Sequence, residues 1–466
     1  MLITDFYGAD IISFQCVTIE SLPDNVLLDI FDFYQKVTDR YFRKWPSLIQ
    51  VCRRWRYLVF VSPCRLGLQF LCGATTPVKE ILDAWPPMQI VVNDYRPTRL
   101  GGDNIIAALE HSDRVIDISL SYLTSSLLGR LAIVMQEPFP VLTHLRLSCD
   151  GQTPLVLPDT FLGGSAPRLR SLWLYGIPFP ALPKLLLSTP NLVSLDLLKV
   201  PHTGYISPEA MVTCLATLTN LESLSLRLQS PSSRPNQGSQ PPPPPVVLSA
   251  LTKLEIQGVS EYLEDFLVRI NTPLITTAKI TFYNRINFVI PQLVNFVSRT
   301  EVRGSVKWAE LFLNNHFARL SIHRPDSPQG RDLSECGFPN VGVLCDAFDW
   351  KISFLVQICS QLLPLLSSVE RLDIRDQRPL DWEDADHMQW LEIFRPFIAV
   401  QSLHIHGLAK PITSALNELI GVRVMEVLPA LHSIFVTCPA YERQLSIIEP
   451  FITERRLSNR PVTVVY

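Results

Sequence analysis

The chain has 466 residues, enough for a large core and more than one domain, and 47% of them are apolar, as in ordinary globular proteins. Its formal charge of −3 argues against electrostatically driven binding to nucleic acid or to an anionic membrane. The ten cysteines are scattered with no C-x-x-C pair, so no structural zinc is expected, and thiols set in apolar patterns suit a reducing cytoplasmic or nuclear compartment.

Residues 1–18 read as an N-terminal extension. Met1 to Asp10 holds Asp5 and Asp10 and no Lys or Arg, so it is not expected to be a secretory leader. The first structural signal is Ser21-Leu22-Pro23-Asp24. Ser21 and Asp24 have capping-box spacing, and Pro23 suits a first helical turn. Leu27, Ile30, Phe31 and Tyr34 then fall at i, i+3, i+4 and i+7, which places them on one helical face. A second helix is predicted from near Pro46. Leu48, Val51, Cys52 and Trp55 form its apolar stripe, and Arg53, Arg54 and Arg56 its solvated side. A module of about 40 residues is near the lower limit for independent folding, so it completes its core on a partner or on the rest of the chain.

Leu22-Pro23, Ile30-Phe31, Trp45 and Val51-Cys52-Arg53-Arg54-Trp55 occur here in the order of the F-box signature, and residues 19–62 resemble that family. The basic segment Arg40 to Trp45 departs from the acidic linker usual there. The competing reading is an amphipathic helical hairpin that serves as a packing cap for a repeat array. Beyond it, Asp103 to Leu120 (DNIIAALEHSDRVIDISL) and the repeats after it look like the F-box proteins that basidiomycete fungi carry in large numbers.

Residues 63–110 are expected to form a helical linker. From 111 to 440 an LxxLxL pattern recurs, at Leu142–Leu147, Leu169–Leu174, Leu192–Leu197, Leu221–Leu226 and Leu251–Ile256. Weaker copies are Val115–Leu120 and Ile275–Ile280, and the pattern returns at Val369–Ile374, Val400–Ile405 and Leu431–Val436. Alternation within each copy marks a short strand, and segments such as Ala181–Ser188 and Glu209–Leu218 read as helices between strands. The period matches a leucine-rich repeat, a solenoid with its strands on the concave side. The Asn or Cys usual after the strand is missing, since those positions hold Asp150, Ile177, Val200, Gln229 and Val259. The turns must therefore satisfy their backbone in another way.

Residues 306–345 break the period. Lys307–Leu313 and Phe317–His323 alternate around Asn314-Asn315-His316, which predicts a β-hairpin inserted within the sheet. Ile352–Val369 is uncharged, but its serines, glutamines and Pro364 predict a buried amphipathic helix rather than a membrane span. Residues 441–466 read as a C-terminal cap, with Val462–Tyr466 as a last strand or strap. The fold class is thus α/β: an N-terminal helical F-box, then an irregular leucine-rich-repeat solenoid with a β-hairpin insertion.

Chemistry-bearing motifs give no positive case for an enzyme. Gly163-Gly164 lacks a following Lys and a G-x-G-x-x-G context. The acidic run Asp381–His387 lacks the glycine turn and terminal Glu of a calcium loop, which favours a solvated loop. His404 and His406 share one strand face and could form half a metal site, but no third ligand can be named. No metal or other cofactor is expected.

The resemblance implies that the F-box docks on a Skp-family adaptor, which joins a cullin-RING ubiquitin ligase, while the repeats hold an unknown protein substrate. It makes Leu22, Pro23, Leu27, Ile30, Phe31, Leu48, Val51 and Trp55 the F-box core and adaptor surface. The alternative is a repeat scaffold that does not direct degradation. In LxxLxL the leucines point inward, so the residues between them name the substrate-binding face: His144, Arg146, Trp173, Tyr175, Asp196, Arg227, Glu255, Arg371, Asp373, Arg375, His404, His406 and Phe435.

Ser230–Pro245 (SPSSRPNQGSQPPPPP) is a low-complexity insertion directly after a repeat strand. It suits either a ligand for a proline-recognising domain or a loop excursion, and the absence of any core-forming side chain favours the loop. Shortening such a loop alters closure entropy by only about 0.6 kcal/mol per halving. Deleting residues 231–244 is therefore expected to leave the thermal transition nearly unmoved. A collapsed transition would show instead that the segment packs.

Overall fold

The computed structural model describes residues 19–36, 45–73, 75–95, 99–149, 155–229, 244–283, 290–300, 306–323, 338–377, 387–407, 410–419, 421–437 and 445–465. The N-terminal extension, the basic linker up to Lys44, the proline-rich insertion up to Pro243 and the acidic run up to Asp386 lie outside the described residues.

The strands, in chain order, are β1 (Gln69–Cys72), β2 (Gln89–Asp94), β3 (Val115–Leu123), β4 (His144–Cys149), β5 (Ser171–Tyr175), β6 (Ser194–Val200), β7 (Ser223–Leu228), β8 (Val246–Val247), β9 (Lys253–Gly258), β10 (Ile270–Asn271), β11 (Thr277–Tyr283), β12 (Trp308–Leu313), β13 (Phe317–His323), β14 (Asn340–Leu344), β15 (Arg371–Asp376), β16 (Ser402–Gly407), β17 (Ser433–Thr437) and β18 (Thr463–Val465). All but β8 and β10 belong to one sheet, ordered β1-β2-β3-β4-β5-β6-β7-β9-β11-β14-β13-β12-β15-β16-β17-β18. Helices follow most strands and pack side by side along one face of this sheet. The architecture is a mixed α/β, leucine-rich-repeat-like solenoid.

Each of the ten LxxLxL copies supplies a strand. Except in β3, which begins at Val115 itself, the strand starts at or near the third motif residue, because the first one sits in the turn before it. Those leading residues, Leu142, Leu169, Leu192, Leu221, Leu251, Val369, Val400 and Leu431, are at most 2% exposed. The next backbone N–H then bonds to the matching carbonyl of the unit before. Thr143 N donates to Ile116 O at 2.8 Å, Val193 N to Arg170 O at 2.8 Å, Glu222 N to Val193 O at 2.9 Å, and Thr252 N to Glu222 O at 2.9 Å. The ladder continues through Gln401 N to Glu370 O (2.7 Å), His432 N to Gln401 O (2.9 Å) and Thr463 N to His432 O (2.9 Å). Asn191 and Asn220 extend it, their amides donating to Pro167 O at 3.0 Å and Pro190 O at 3.2 Å. This array ahead of the strands satisfies turn groups that would otherwise be orphaned.

The helices expected at 181–188 and 209–218 are Leu182–Leu186 and Pro208–Leu215. The second starts where Ser207 Oγ accepts Ala210 N at 3.2 Å, with Pro208 in its first turn. The hairpin forms as expected. Antiparallel β12 and β13 pair from Trp308↔His323 to Leu313↔Ala318, and the insertion enters the sheet through β14 against β11 and β12 against β15. Buried Lys351 holds the hairpin turn by donating to Asn314 O at 3.1 Å and Asn315 O at 2.5 Å. Gly342 on β14 makes room for the Phe317 ring, since a Cβ there would meet that ring at 2.5 Å and force it to shift.

Three expectations need correction. The segment 63–110 is not purely helical. Besides helices Val78–Ala84 and Arg99–Leu109 it holds β1 and β2, whose alternation buries Phe70, Cys72, Ile90 and Val92. The second N-terminal helix is two. After α1 (Asp24–Lys36) come α2 (Trp45–Val51) and α3 (Arg53–Val61), broken at Cys52, whose extended backbone leaves its Sγ to accept Trp55 N at 3.5 Å. Arg54 is not left in water. Its guanidinium bonds to Asp24 Oδ1, Glu20 O and Leu22 O, each at 2.6 Å, and so ties α3 to the start of α1.

The module is continuous with the sheet. Trp45 Nε1 donates to Gln69 O at 3.2 Å, and its ring meets Trp85 edge-on at 5.0 Å, beside Phe60 and Phe70. The uncharged stretch 352–369 folds as helices Phe348–Gln361 and Leu363–Leu366, and no helix among the described residues is long and apolar enough to cross a membrane.

At the other end, helix Leu445–Leu457 carries the fully buried Arg455, which donates to Val424 O (3.4 Å), Leu428 O (3.4 Å) and Leu431 O (2.8 Å) in the turn before β17. Hydrogen bonds from a charged donor contribute about 1.5–3 kcal/mol, so Arg455→Met is expected to destabilise the chain by about 2 kcal/mol or more. Denaturant unfolding checks this, and an unmoved midpoint would contradict it.

Candidate binding surface

The helices cover one face of the sheet, so residues that alternate with the buried leucines line the other, the inner side of a solenoid's curve. Strand register places these residues in rows. The central row reads Arg146, Trp173, Asp196, Ser225, Glu255, Lys279, then Asn340, Ser321, Glu310, and on to Asp373, His404 and Phe435. All thirteen residues expected on this face lie on its strands, but they fall into two groups.

In the first, cations and rings alternate. The Arg146 guanidinium lies 4.2 Å over the Trp173 ring, Trp173 stacks on Tyr175 at 5.8 Å, and the Lys199 ammonium sits 4.9 Å over Tyr175. Each cation–π contact contributes on the order of 0.5–1 kcal/mol, and the two rings lie nearly parallel to each other, 11° apart. Exposed His144 faces Asp117, with Nδ1 to Oδ2 at 3.9 Å. Asp196 accepts Ser194 Oγ at 2.9 Å; burial raises its carboxyl above the usual range, against that bond. Glu255 receives both Arg227 and Lys279 at 2.9 Å. Burial alone would raise Glu255, but those two cations outweigh it and its carboxyl falls below the usual range.

In the second group the carboxylates are submerged. Asp373, expected on the surface, is 1% exposed. Arg371 closes over it bidentately at 2.8 and 2.9 Å. Glu310 is equally buried, with Arg375 at 2.8 Å and Arg319 at 3.4 Å. Trp308 stacks on the buried His323 at 4.1 Å, and His404 on Phe435 at 4.3 Å. Burial lowers both His404 and His406 below the ordinary imidazole range. Trp308, Glu310, Arg319 and His323 were not named from the sequence. The alternation of the hairpin strands already marked them as outward, but the insertion lay outside the repeat period.

The eight residues assigned to the N-terminal module also divide. Leu27, Phe31 and Leu48 are buried, and Leu22 and Trp55 are half-buried, with Trp55 4.7 Å from Phe31. Pro23, Ile30 and Val51 are exposed, beside exposed Phe33, Tyr34 and Tyr57. Among the described residues no group of three or more His, Cys, Asp or Glu could hold a metal ion, so His404 and His406 gain no third ligand there.

No family model and no curated protein matches the chain. Among solved structures it is similar to the leucine-rich-repeat-containing protein LegL7 from Legionella pneumophila, at 12% identity and a TM-score of 0.30, over 85% of this chain and 99% of that one.

Burial, and next the neighbouring Arg319, push His323 from 6.5 down to about 4. Between these values the unfolded chain binds a proton that the folded chain refuses. Stability is full above pH 6.5 and falls as pH drops toward 4, by up to about 3 kcal/mol from this group. His323→Gln lacks this term. Unfolding free energies across the window are expected to show the wild type losing stability relative to the variant on acidification, and parallel curves would contradict it.

Proposed function

We propose that the chain is the substrate-recognition subunit of a Skp-cullin-F-box ubiquitin ligase. Residues 19–62 act as the F-box that docks on a Skp-family adaptor, and the open strand face holds the protein to be modified. The observation that carries this reading is the F-box pattern on a module whose apolar residues sort into a core and a surface. Leu27, Phe31 and Leu48 fill the interior with half-buried Trp55 packed against them, while Ile30, Phe33, Val51 and Tyr57 are exposed, Phe33 by 70%. Exposed apolar side chains grouped on one small module mark a docking surface. The long, side-chain-rich strand face supports the second half of the reading.

In this reading the chain does no chemistry itself. It raises the effective concentration of target lysines beside the conjugating enzyme. The shared core of Trp45, Phe60, Phe70 and Trp85 couples the module to the first strands, which sets the angle at which a bound target is presented.

Hot-spot residues contribute about 2 kcal/mol or more, roughly thirtyfold in affinity. Replacing Leu22 and Pro23 by Ala, or exposed Ile30 by Glu, is expected to weaken co-purification with the adaptor by that factor. Ile30→Glu should leave the melting transition in place. Adaptor binding that survives both changes refutes the assignment. On the strand face, Trp173→Ala with Tyr175→Ala, or Arg371→Gln with Asp373→Asn so that no buried charge is stranded, should reduce captured partners while adaptor binding persists. Retention of every partner by both variants would move recognition to the loops.

A further inference from the structure

The outward surface of β12 and β15–β17 differs from the rest of the strand face in where its charges lie. Both carboxylates are buried, Glu310 and Asp373 each at 1% exposure. The guanidiniums above them reach the surface, with the Arg371 side chain 42% exposed and Arg375 35%. Three arginines, 319, 371 and 375, share two carboxylates, so the cluster keeps one surplus positive charge. Among the described residues, half-buried rings flank the two exposed arginines: Trp308 and Phe312 on β12, His404 and His406 on β16, and Phe435 on β17. Among the described residues, His406 Nε2 is buried without a hydrogen-bond partner, and Arg375 Nε meets Glu310 at 2.8 Å without hydrogen-bond alignment.

We propose that this patch is a docking site for an acidic segment of a partner protein, whose Asp or Glu carboxylates meet Arg371 and Arg375 over a floor of Trp308, His404, His406 and Phe435. The inference rests on the strand face being the partner-binding surface. Charge complementarity selects the occupant. Among the described residues of the patch, the surface offers cations and ring faces, with Glu310 and Asp373 sealed beneath, where they hold the guanidiniums in place before the partner arrives. The submerged carboxylates thus pre-orient the arginines and leave N–H groups for a second acid. A nucleic acid fits less well, because its repeating phosphates need a longer basic track than two exposed arginines on one strand, in a chain of net charge −3.

The test is selection from a randomised peptide library on the full chain, followed by anisotropy titration of a labelled selected peptide. The bound pool should be enriched in Asp and Glu, and binding should weaken with salt. Arg371→Gln combined with Asp373→Asn removes the surface cation without stranding a buried charge, and should weaken binding about tenfold. Ser402 lies opposite Arg371 in the parallel register, so Ser402→Glu offers that guanidinium an internal acid and should weaken binding similarly without touching the buried pairs. A pool no richer in acids than the input overturns the proposal. So does undiminished binding by both variants, or a single-stranded oligonucleotide held more tightly than the selected peptide. If partner capture remains sensitive to Trp173→Ala while acidic peptides fail, the acidic class falls and the strand-face reading stands. If capture ignores the strand face altogether, that reading falls first.

Discussion

The fold depends on a hydrogen bond made just before the repeat strands β4–β7, β9, β11 and β15–β17 begin. One residue after the buried leading apolar residue, a backbone N–H reaches the equivalent carbonyl of the unit before, and repetition of that bond locks each unit in register with the last. The leading side chain must be inside for the N–H to arrive, and the N–H must bond for the side chain to stay inside. Local pattern and sheet register therefore enforce one another, which keeps an irregular array with spacings of many lengths in a single sheet. Turns after the strands are then free to vary, which is why Ile177, Val200, Gln229 and Val259 can stand where a repeat would carry Asn or Cys.

Fixed register has a chemical consequence. It brings residues far apart in sequence into one row, so Glu310 of the hairpin meets Arg375 of a later repeat at 2.8 Å. Buried charges are tolerated only when paired and hydrogen-bonded, and Glu310 and Asp373 each have an arginine. The inserted hairpin is what makes this possible, since its two antiparallel strands widen the sheet and add Trp308, Arg319 and His323 to the open face. Elsewhere the face is built from single repeats, and its acids, such as Glu255, stay nearer the surface.

Much of this was legible in the sequence wherever a periodic signal spoke alone. The LxxLxL strands and the turn at Asn314-Asn315-His316 are local, and each forms where its alternation puts it. The break at Cys52 was not legible, because Leu48, Val51, Cys52 and Trp55 keep helical spacing straight across it. Tertiary demand decides there: after the break, Trp55 packs on Phe31 while Val51 stays out. The strand β2 carried a signal in the β-branched run Ile90-Val91-Val92, masked by its distance from any leucine motif. The burial of Asp373 could not be read from its own strand at all. It follows from Arg371 closing over it and from Glu310 beside it, one strand away in space and far away in sequence.

The proposed function places two separate contacts on one continuous body: an adaptor on the N-terminal helices and a target on the strand face. The most direct test is hydrogen–deuterium exchange of the full chain with and without a purified Skp-family adaptor. The account requires slowed exchange confined to α1, α2 and α3, with the amides of β4–β7 and β15–β17 unchanged. Protection on those strands, or none on the helices at saturating adaptor, would contradict it.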